Sequence, residues 1–253
     1  IIQIGSKVSN YKVGDNVISF GWNNNISEYF TSKTFQLQPV PEGLDMDLAG
    51  IGEPLACAMY SGLNSKVQLG DFVVVMGGGF AGQIIAQCAK KKGANKVAIV
   101  DVLDGKLKLA KQLGADIIIN SQRQDPVEAI GELTNGVGAD VVVEAAGSEE
   151  SFNAASELIK HNGKFVFYSW VTQPVTLNIS RWHDDGLEFI NTCLVHHTWR
   201  ERYVWTPDTL KPVIQGHINV KPLITHEFKL ENIKEAFKAA DKDDSAVKIV
   251  LRP

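Results

Sequence analysis

The sequence predicts an α/β fold built on a doubly wound parallel sheet, and three observations carry that prediction. From residue 72 onward apolar runs begin every twenty-odd residues: Phe72–Met76, Val97–Val100, Ile117–Ile119, Val141–Val143, Phe165–Tyr168 and Leu187–Ile190. The runs are continuous, not alternating, as strands covered on both faces require. Between them lie stretches with helical spacing and helical ends, so strand and helix alternate. Third, a glycine-rich turn closes the first run.

The elements follow in order. Residues 1–53 are glycine-rich, aromatic and broken by turns at Val13-Gly14-Asp15, Pro39 and Pro41, and they read as short strands. A helix over Gln83–Lys92 follows the glycine turn. The next, Leu103–Leu113, carries Leu103, Leu107, Ala110 and Leu113 on one face and stops at Gly114. Pro126–Leu133 follows Asp125, a good N-cap with proline in the first helical position. A helix over residues 149–161 ends before Gly163, and Thr206-Pro207 opens another that ends at Gly216. A last helix over 231–240 precedes a strand near 246–251. Six strands with helical crossovers make two βαβαβ halves. The segments share patterning but no residue signature, so they are not a tandem repeat. The two flanks are expected to pack into a second domain.

Composition narrows the function classes. The 253 residues are 44% hydrophobic and 21% charged, which describes a globular chain and excludes disorder and collagen. Twenty-five basic residues face 29 acidic ones, and no basic stripe with interleaved aromatics suggests nucleic acid. The lysine run Lys90–Lys92 falls at a helix end, where cations suit the dipole. No apolar stretch reaches the ~18 residues of a membrane span. Cys57, Cys88 and Cys193 are too few for a disulfide scaffold and match no zinc knuckle, which makes a reduced, cytoplasmic setting the expectation. The chain opens at Ile1, not Met, and reads there like the middle of a protein.

The glycine turn carries the chemistry. Gly77, Gly79 and Gly82 fit G-x-G-x-x-G, with Phe80 and Ala81 between the last two. The pattern follows a strand, opens a helix, and has an acid, Asp101, at the end of the next strand, 19 residues after Gly82. Gly77 would permit the tight turn, Gly79 the close approach of backbone to a pyrophosphate, and Gly82 close packing of helix on strand. The helix N-terminus then offers N–H groups and a positive dipole end to the phosphates. Asp101 would accept bonds from ribose hydroxyls and repel a 2′-phosphate, and Val102, Leu103 and Asp104 supply no arginine, so NAD is favoured over NADP. An aspartate that merely caps the next helix is the competing role, and Asp104 suits it at least as well. Ala145-Ala146-Gly147 and Tyr168-Ser169-Trp170 end two further strands, facing the same crevice. There the first would let a flat ring approach the backbone, and the second would sit where a nicotinamide amide could meet main-chain groups, or its aromatic pair would simply pack at a domain seam.

These residues resemble a family, the medium-chain alcohol and polyol dehydrogenases. Lys12-Val13-Gly14-Asp15-Asn16-Val17 is similar to that family's K-x-G-D-x-V turn, Glu28-Tyr29-Phe30 to its A-E-Y strand, and Gly52-Glu53-Pro54-Leu55-Ala56 to its E-P-L entry helix. Leu113-Gly114-Ala115-Asp116 and Lys221-Pro222-Leu223-Ile224-Thr225-His226 match as well. The E-P-L form resembles sorbitol- and threonine-dehydrogenase-like members most. The resemblance implies a Rossmann domain over residues 55–196, flanked by the remnant of a GroES-like β-barrel catalytic domain in residues 1–54. Residues 197–253 would return to that catalytic domain.

By resemblance, Ala81, Asp101 and Lys106 lie along the adenosine and pyrophosphate, with Lys106 a point charge where the family often has an arginine. Tyr168, Ser169, Trp170 and the backbone near Leu194 would line the nicotinamide. Glu53 stands where the family places an acidic zinc ligand or a partner of zinc-bound water. A helix-entry glutamate satisfied by backbone N–H groups is the other reading of Glu53. The resemblance also implies about ninety further residues ahead of Ile1, carrying the zinc-binding cysteine, a His-Glu pair and the proton relay. The family's four-cysteine structural zinc lobe is missing between Val17 and Glu28.

The implied activity is hydride transfer between NAD and a secondary alcohol, polyol or amino alcohol, assisted by Zn2+ in the intact enzyme. This chain alone would bind NAD without turnover. Two other readings are a zinc-independent, NADPH-dependent quinone or enone reductase and a non-catalytic NAD-binding module. A homodimer or homotetramer is implied, its dimer pairing Leu187–Asn191 with its own copy.

Overall fold

The computed structural model describes residues 1–20, 26–192 and 206–253. They fall into two compact units. One is drawn from Ile1–Cys57, Leu194–Asp243 and Lys248–Pro253, the other from Ala58–Cys193 and Asp244–Val247.

The second unit is organised by six parallel strands: β3 (Phe72–Met76), β4 (Lys96–Asp101), β5 (Ile117–Asn120), β6 (Ala139–Glu144), β7 (Ile159–Phe167) and β8 (Glu188–Asn191). Their spatial order is β5-β4-β3-β6-β7-β8, the doubly wound Rossmann order, which reverses direction between β3 and β6. Every neighbouring pair in this sheet is parallel.

Side-chain alternation explains why the apolar runs are unbroken. Val73, Val75, Val97, Ile99, Val141 and Val143 point to one face, where Ile85, Ala86 and Ala89 of α3 (Phe80–Lys91) and Leu107 and Ala110 of α4 (Asp104–Gln112) cover them. Val74, Met76, Ala98, Val100 and Val142 point to the other, under Ala129 and Ile130 of α5 (Pro126–Leu133) and Phe152, Ala155 and Leu158 of α6 (Glu149–Leu158). Val73, Val74 and Val75 have no exposed surface. Each buried valine contributes about 1.5–3 kcal/mol relative to exposure.

Helix ends follow the residues expected to set them, with corrections. Asp125 caps α5, its side chain accepting from the Val127 N–H at 2.7 Å. Helix α3 starts at Phe80, three residues earlier than Gln83, because extended Gly79 is its N-cap. Asp104 does not cap α4 with its side chain; the N-cap is Leu103, and Asp104 lies in the first turn. The helix expected over 149–161 stops at Leu158, and Ile159 pairs directly with Ala139 as the first residue of β7. His161-Asn162-Gly163 looks like a helix ending in sequence but forms an irregularity within the strand. There Asn162 takes a φ of 56° and its N–H donates to the Asp185 carbonyl at 2.7 Å.

The first unit holds few strands. β1 (Val17–Ser19) and β2 (Leu37–Pro39) pair antiparallel, and α1 (Met46–Ala49) is capped by Asp45. Glu28-Tyr29-Phe30, expected as a strand, forms a bend. Helix α2 (Gly52–Asn64) carries the Glu53-Pro54-Leu55 segment, and a Cβ on Gly52 would stand 2.7 Å from Ile18 Cδ1, so the Ile18 side chain would have to shift to admit one. After α7 (Thr206–Ile214), β9 (Ile224–Lys229) pairs in parallel with β10 (Lys248–Arg252), with α8 (Ile233–Lys242) between them. No described helix is long and apolar enough to cross a membrane.

Candidate functional site

Strand β3 ends at Met76 and α3 begins at Phe80, so three glycines make the whole turn. Gly77 has a φ of 103°, and its N–H donates to the Val100 carbonyl at 2.7 Å. A Cβ at Gly77 would meet the Ala145 carbonyl carbon and oxygen at 2.9 Å. A Cβ at Gly82 would overlap the Gly77 carbonyl oxygen and stand 3.3 Å from Val75 Cγ1. Gly79 differs: nothing lies within 4 Å of the Cβ position, and no side chain caps the helix there. Two glycines are thus imposed by backbone contact, while the third leaves open space at a helix N-terminus. That cradle fits a phosphate group, which would meet N–H donors and a positive dipole end.

The turn is braced from beneath by two side chains acting on Gly78. Asp101, half-buried at the end of β4, accepts from the Gly78 N–H through Oδ2 at 2.7 Å and from the Leu103 N–H through Oδ1 at 2.9 Å. Gln83, buried in the first turn of α3, donates from Nε2 to the Gly78 carbonyl at 2.8 Å and to the Lys106 carbonyl at 3.3 Å. Lys106 is half-buried in α4, and Ala81 packs against the sheet's first core cluster. Asp104 pairs with Arg123 and accepts from Asn120 Nδ2 at 2.7 Å.

A second group stands at the ends of β6 and β7. Glu144 has no exposed surface. Its Oε1 accepts from the N–H groups of Ala146 (3.0 Å) and Gly147 (2.7 Å) and from Ser151 Oγ (2.7 Å), while Oε2 accepts from Ser169 Oγ. The N–H groups of Tyr168 and Ser169 donate to the Glu144 carbonyl at 3.1 and 3.3 Å. Tyr168 packs on the core, Ser169 is half-exposed and Trp170 is 72% exposed. Sequence reasoning stopped at the small residues and missed Glu144. The available signal was a charged residue closing an apolar strand, directly before N–H groups it could bind. Leu194 lies outside the described residues, as do Cys193, His196 and His197.

The resemblance places Glu53 beside a metal. Glu53 lies in the first turn of α2, where Cys57 Sγ donates to its Oε1 at 3.5 Å. Burial pushes the Lys248 ammonium down from the usual lysine range, and the charge of Glu53 opposes that shift. Among the described residues no group of three or more His, Cys, Asp or Glu side chains could hold a metal ion. A catalytic zinc takes three protein ligands and an open position, so these residues do not fit it. His226 is engaged structurally, with Nδ1 2.9 Å from Thr225 Oγ1 and Nε2 3.3 Å from Asp243 Oδ2.

Residues 81–206 match the family described as zinc-binding dehydrogenase. Over those residues the chain is similar to that family. The chain is 28% identical over 284 residues to a sorbitol dehydrogenase of Halalkalibacterium halodurans, covering all of this chain and 80% of the relative. It is 30% identical over 231 residues to an L-threonine 3-dehydrogenase of Bacillus licheniformis, covering 90% of this chain and 64% of that one. A solved structure of 2R,3R-butanediol dehydrogenase from Bacillus subtilis superposes with a TM-score of 0.78 at 26% identity, over 100% of this chain and 78% of the other. The chain spans between 55% and 80% of the length of the curated relatives it matches.

Proposed function

We propose that this chain binds NAD at the Gly77–Gly82 turn and supplies the cofactor-binding part of an alcohol, polyol or amino-alcohol dehydrogenase. The observation that carries the reading is the open Gly79 position at the start of α3, held over an Asp101 carboxylate that closes β4. The diphosphate would lie against Gly77, Gly79, Phe80, Ala81 and Gly82. The Asp101 carboxylate would take the adenosine ribose hydroxyls and disfavour a 2′-phosphate, and Lys106 would add a positive charge at the rim. Ala145, Gly147, Tyr168, Ser169, Trp170 and Leu194 would line the nicotinamide.

Bound NAD supplies the hydride acceptor; the protein's part is to hold and orient it. Zinc belongs to the family's chemistry, yet Glu53 and Cys57 do not make a site for it, so no step is assigned to a metal in this chain. The reading therefore includes cofactor binding without turnover. It also includes a homodimer or homotetramer formed through edge strand β8. Residues 1–54 are read as part of a GroES-like catalytic domain, 55–196 as the cofactor domain and 197–253 as a return segment that packs on the catalytic domain.

Fluorescence titration with NADH tests the binding, and a separate assay of NAD reduction by sorbitol, with and without added zinc, tests the turnover. Saturable NADH binding with no sorbitol oxidation is expected. Absence of NADH binding overturns the cofactor assignment, and clear sorbitol oxidation overturns the assignment of no turnover.

A further inference from the structure

We propose that Ser169 selects the amide of the nicotinamide ring by accepting a hydrogen bond from its N–H, and that Glu144 is the positioning residue that fixes Ser169 as an acceptor. This rests on reading the ends of β6 and β7 as part of an NAD site.

The argument is one of hydrogen-bond direction. A hydroxyl has a single hydrogen and two lone pairs, and a carboxylate only accepts. Ser169 Oγ donates to Glu144 Oε2, so its hydrogen is committed to the protein interior. Its lone pairs remain on a half-exposed side chain. Oε1 is occupied by two main-chain N–H donors, from Ala146 and Gly147, and by Ser151 Oγ. The same carboxylate thus ties the turn after β6 to the segment after β7. A Cβ placed on Gly147 would stand 3.4 Å from Ser169 Cβ and 3.8 Å from Ser169 Oγ, so a ring lying on Gly147 would adjoin the Ser169 hydroxyl. A hydroxyl presenting only lone pairs favours a partner with an N–H. A carboxamide has one; a methyl ketone of the same shape does not.

Substitution at Glu144 makes the direction testable. In E144Q the amide carbonyl must face the two main-chain N–H donors, which leaves the NH2 group toward Ser169 Oγ. Ser169 would then accept from the protein, and its own hydrogen would turn outward. The preference for an N–H donor would then be lost, because carboxamide and methyl ketone both offer a carbonyl acceptor.

The full chain is titrated with NADH, with reduced 3-acetylpyridine adenine dinucleotide, whose methyl ketone replaces the carboxamide, and with ADP-ribose. Wild type is expected to bind NADH more tightly than the acetylpyridine analogue. S169A is expected to weaken NADH about fivefold, one neutral hydrogen bond, and to leave the analogue and ADP-ribose unchanged. E144Q is expected to bring NADH and the analogue to about equal affinity while leaving ADP-ribose unchanged, a change that a merely structural role would not produce. If E144Q fails to fold by circular dichroism, S169A decides alone. A wild-type chain that binds all three ligands, with S169A keeping the wild-type ratio of NADH to analogue, overturns the Ser169 assignment and leaves the NAD reading standing. A wild-type chain that binds neither NADH nor ADP-ribose overturns both.

Discussion

The two glycines at the start of α3 should respond to alanine in opposite ways. At Gly82 the new Cβ would overlap the Gly77 carbonyl oxygen, with Gly77 C at 3.1 Å and Val75 Cγ1 at 3.3 Å. Two of the three obstacles are backbone, so no side chain can rotate away and the turn or the helix must shift. Overpacking of this kind costs about 3 kcal/mol, roughly a hundredfold in the folding equilibrium. At Gly79 the φ is −72° and the Cβ position is open. There the weaker N-capping of alanine and its smaller unfolded-state entropy offset each other to within about 0.5 kcal/mol. The methyl would nevertheless occupy the space through which a phosphate reaches the helix end. Urea unfolding followed by circular dichroism should show G82A with a midpoint lower by about 1 M and G79A close to wild type. NADH titration should show G79A weakened at least about tenfold, a loss of one or more charge-assisted bonds. Equal stability of G82A and wild type, or equal losses in G79A and G82A, would refute the reasoning.

Other expectations follow from single side chains. D101N should weaken NADH about tenfold by removing a charged acceptor and narrow its advantage over NADPH; an undiminished NADH preference in competition titrations would count against a ribose contact. Burial pushes the Cys88 thiol up to about 12, against the opposing charge of Lys92. Since the thiolate is the reactive form, iodoacetamide at pH 8 should leave Cys88 unmodified in the folded chain and modify it in urea, as read by peptide mass mapping. Burial also pushes the Asp116 carboxyl up, but hydrogen bonds from Lys90 and the Val97 N–H, with the charges of Lys90 and Lys111, prevail and hold it below the usual carboxylate range. A depressed folded value stabilises above the unfolded range and is lost as pH falls through the folded one. D116N should therefore be less stable than wild type by about 1 kcal/mol near neutrality, with the gap closing on acidification; a gap independent of pH would contradict this.

The sheet was legible in sequence because each of its central strands is buried on both faces, which forces unbroken apolar runs such as Val73-Val74-Val75. The glycine turn was legible for a similar reason, since backbone collisions at Gly77 and Gly82 admit no other residue easily. What escaped depends on partners distant in the chain. Glu144 is satisfied partly by Ser169, 25 residues away, and nothing local marks a buried carboxylate as fully bonded. The start of β7 escaped because Ile159 is held by pairing with Ala139, while the His161-Asn162-Gly163 sequence around the irregularity imitates a helix end. In the first unit, Glu28–Phe30 carries a strand-like sequence yet bends, with Ser27 Oγ donating to the Tyr29 carbonyl.

The strand order has a consequence for how the sheet is assembled. β3, β4 and β5 are neighbours both in sequence and in space, so their contacts close short loops and can form early in synthesis. The other edge of β3 is filled by β6, which emerges only after both of those strands and their helices. Until Ala139–Glu144 leaves the ribosome, the half-made sheet exposes Val73-Val74-Val75 along an unpaired parallel edge, a template for adhesion to other chains. The interval between translating β5 and β6 is thus the nascent chain's period of greatest aggregation risk, and a pause there would lengthen it.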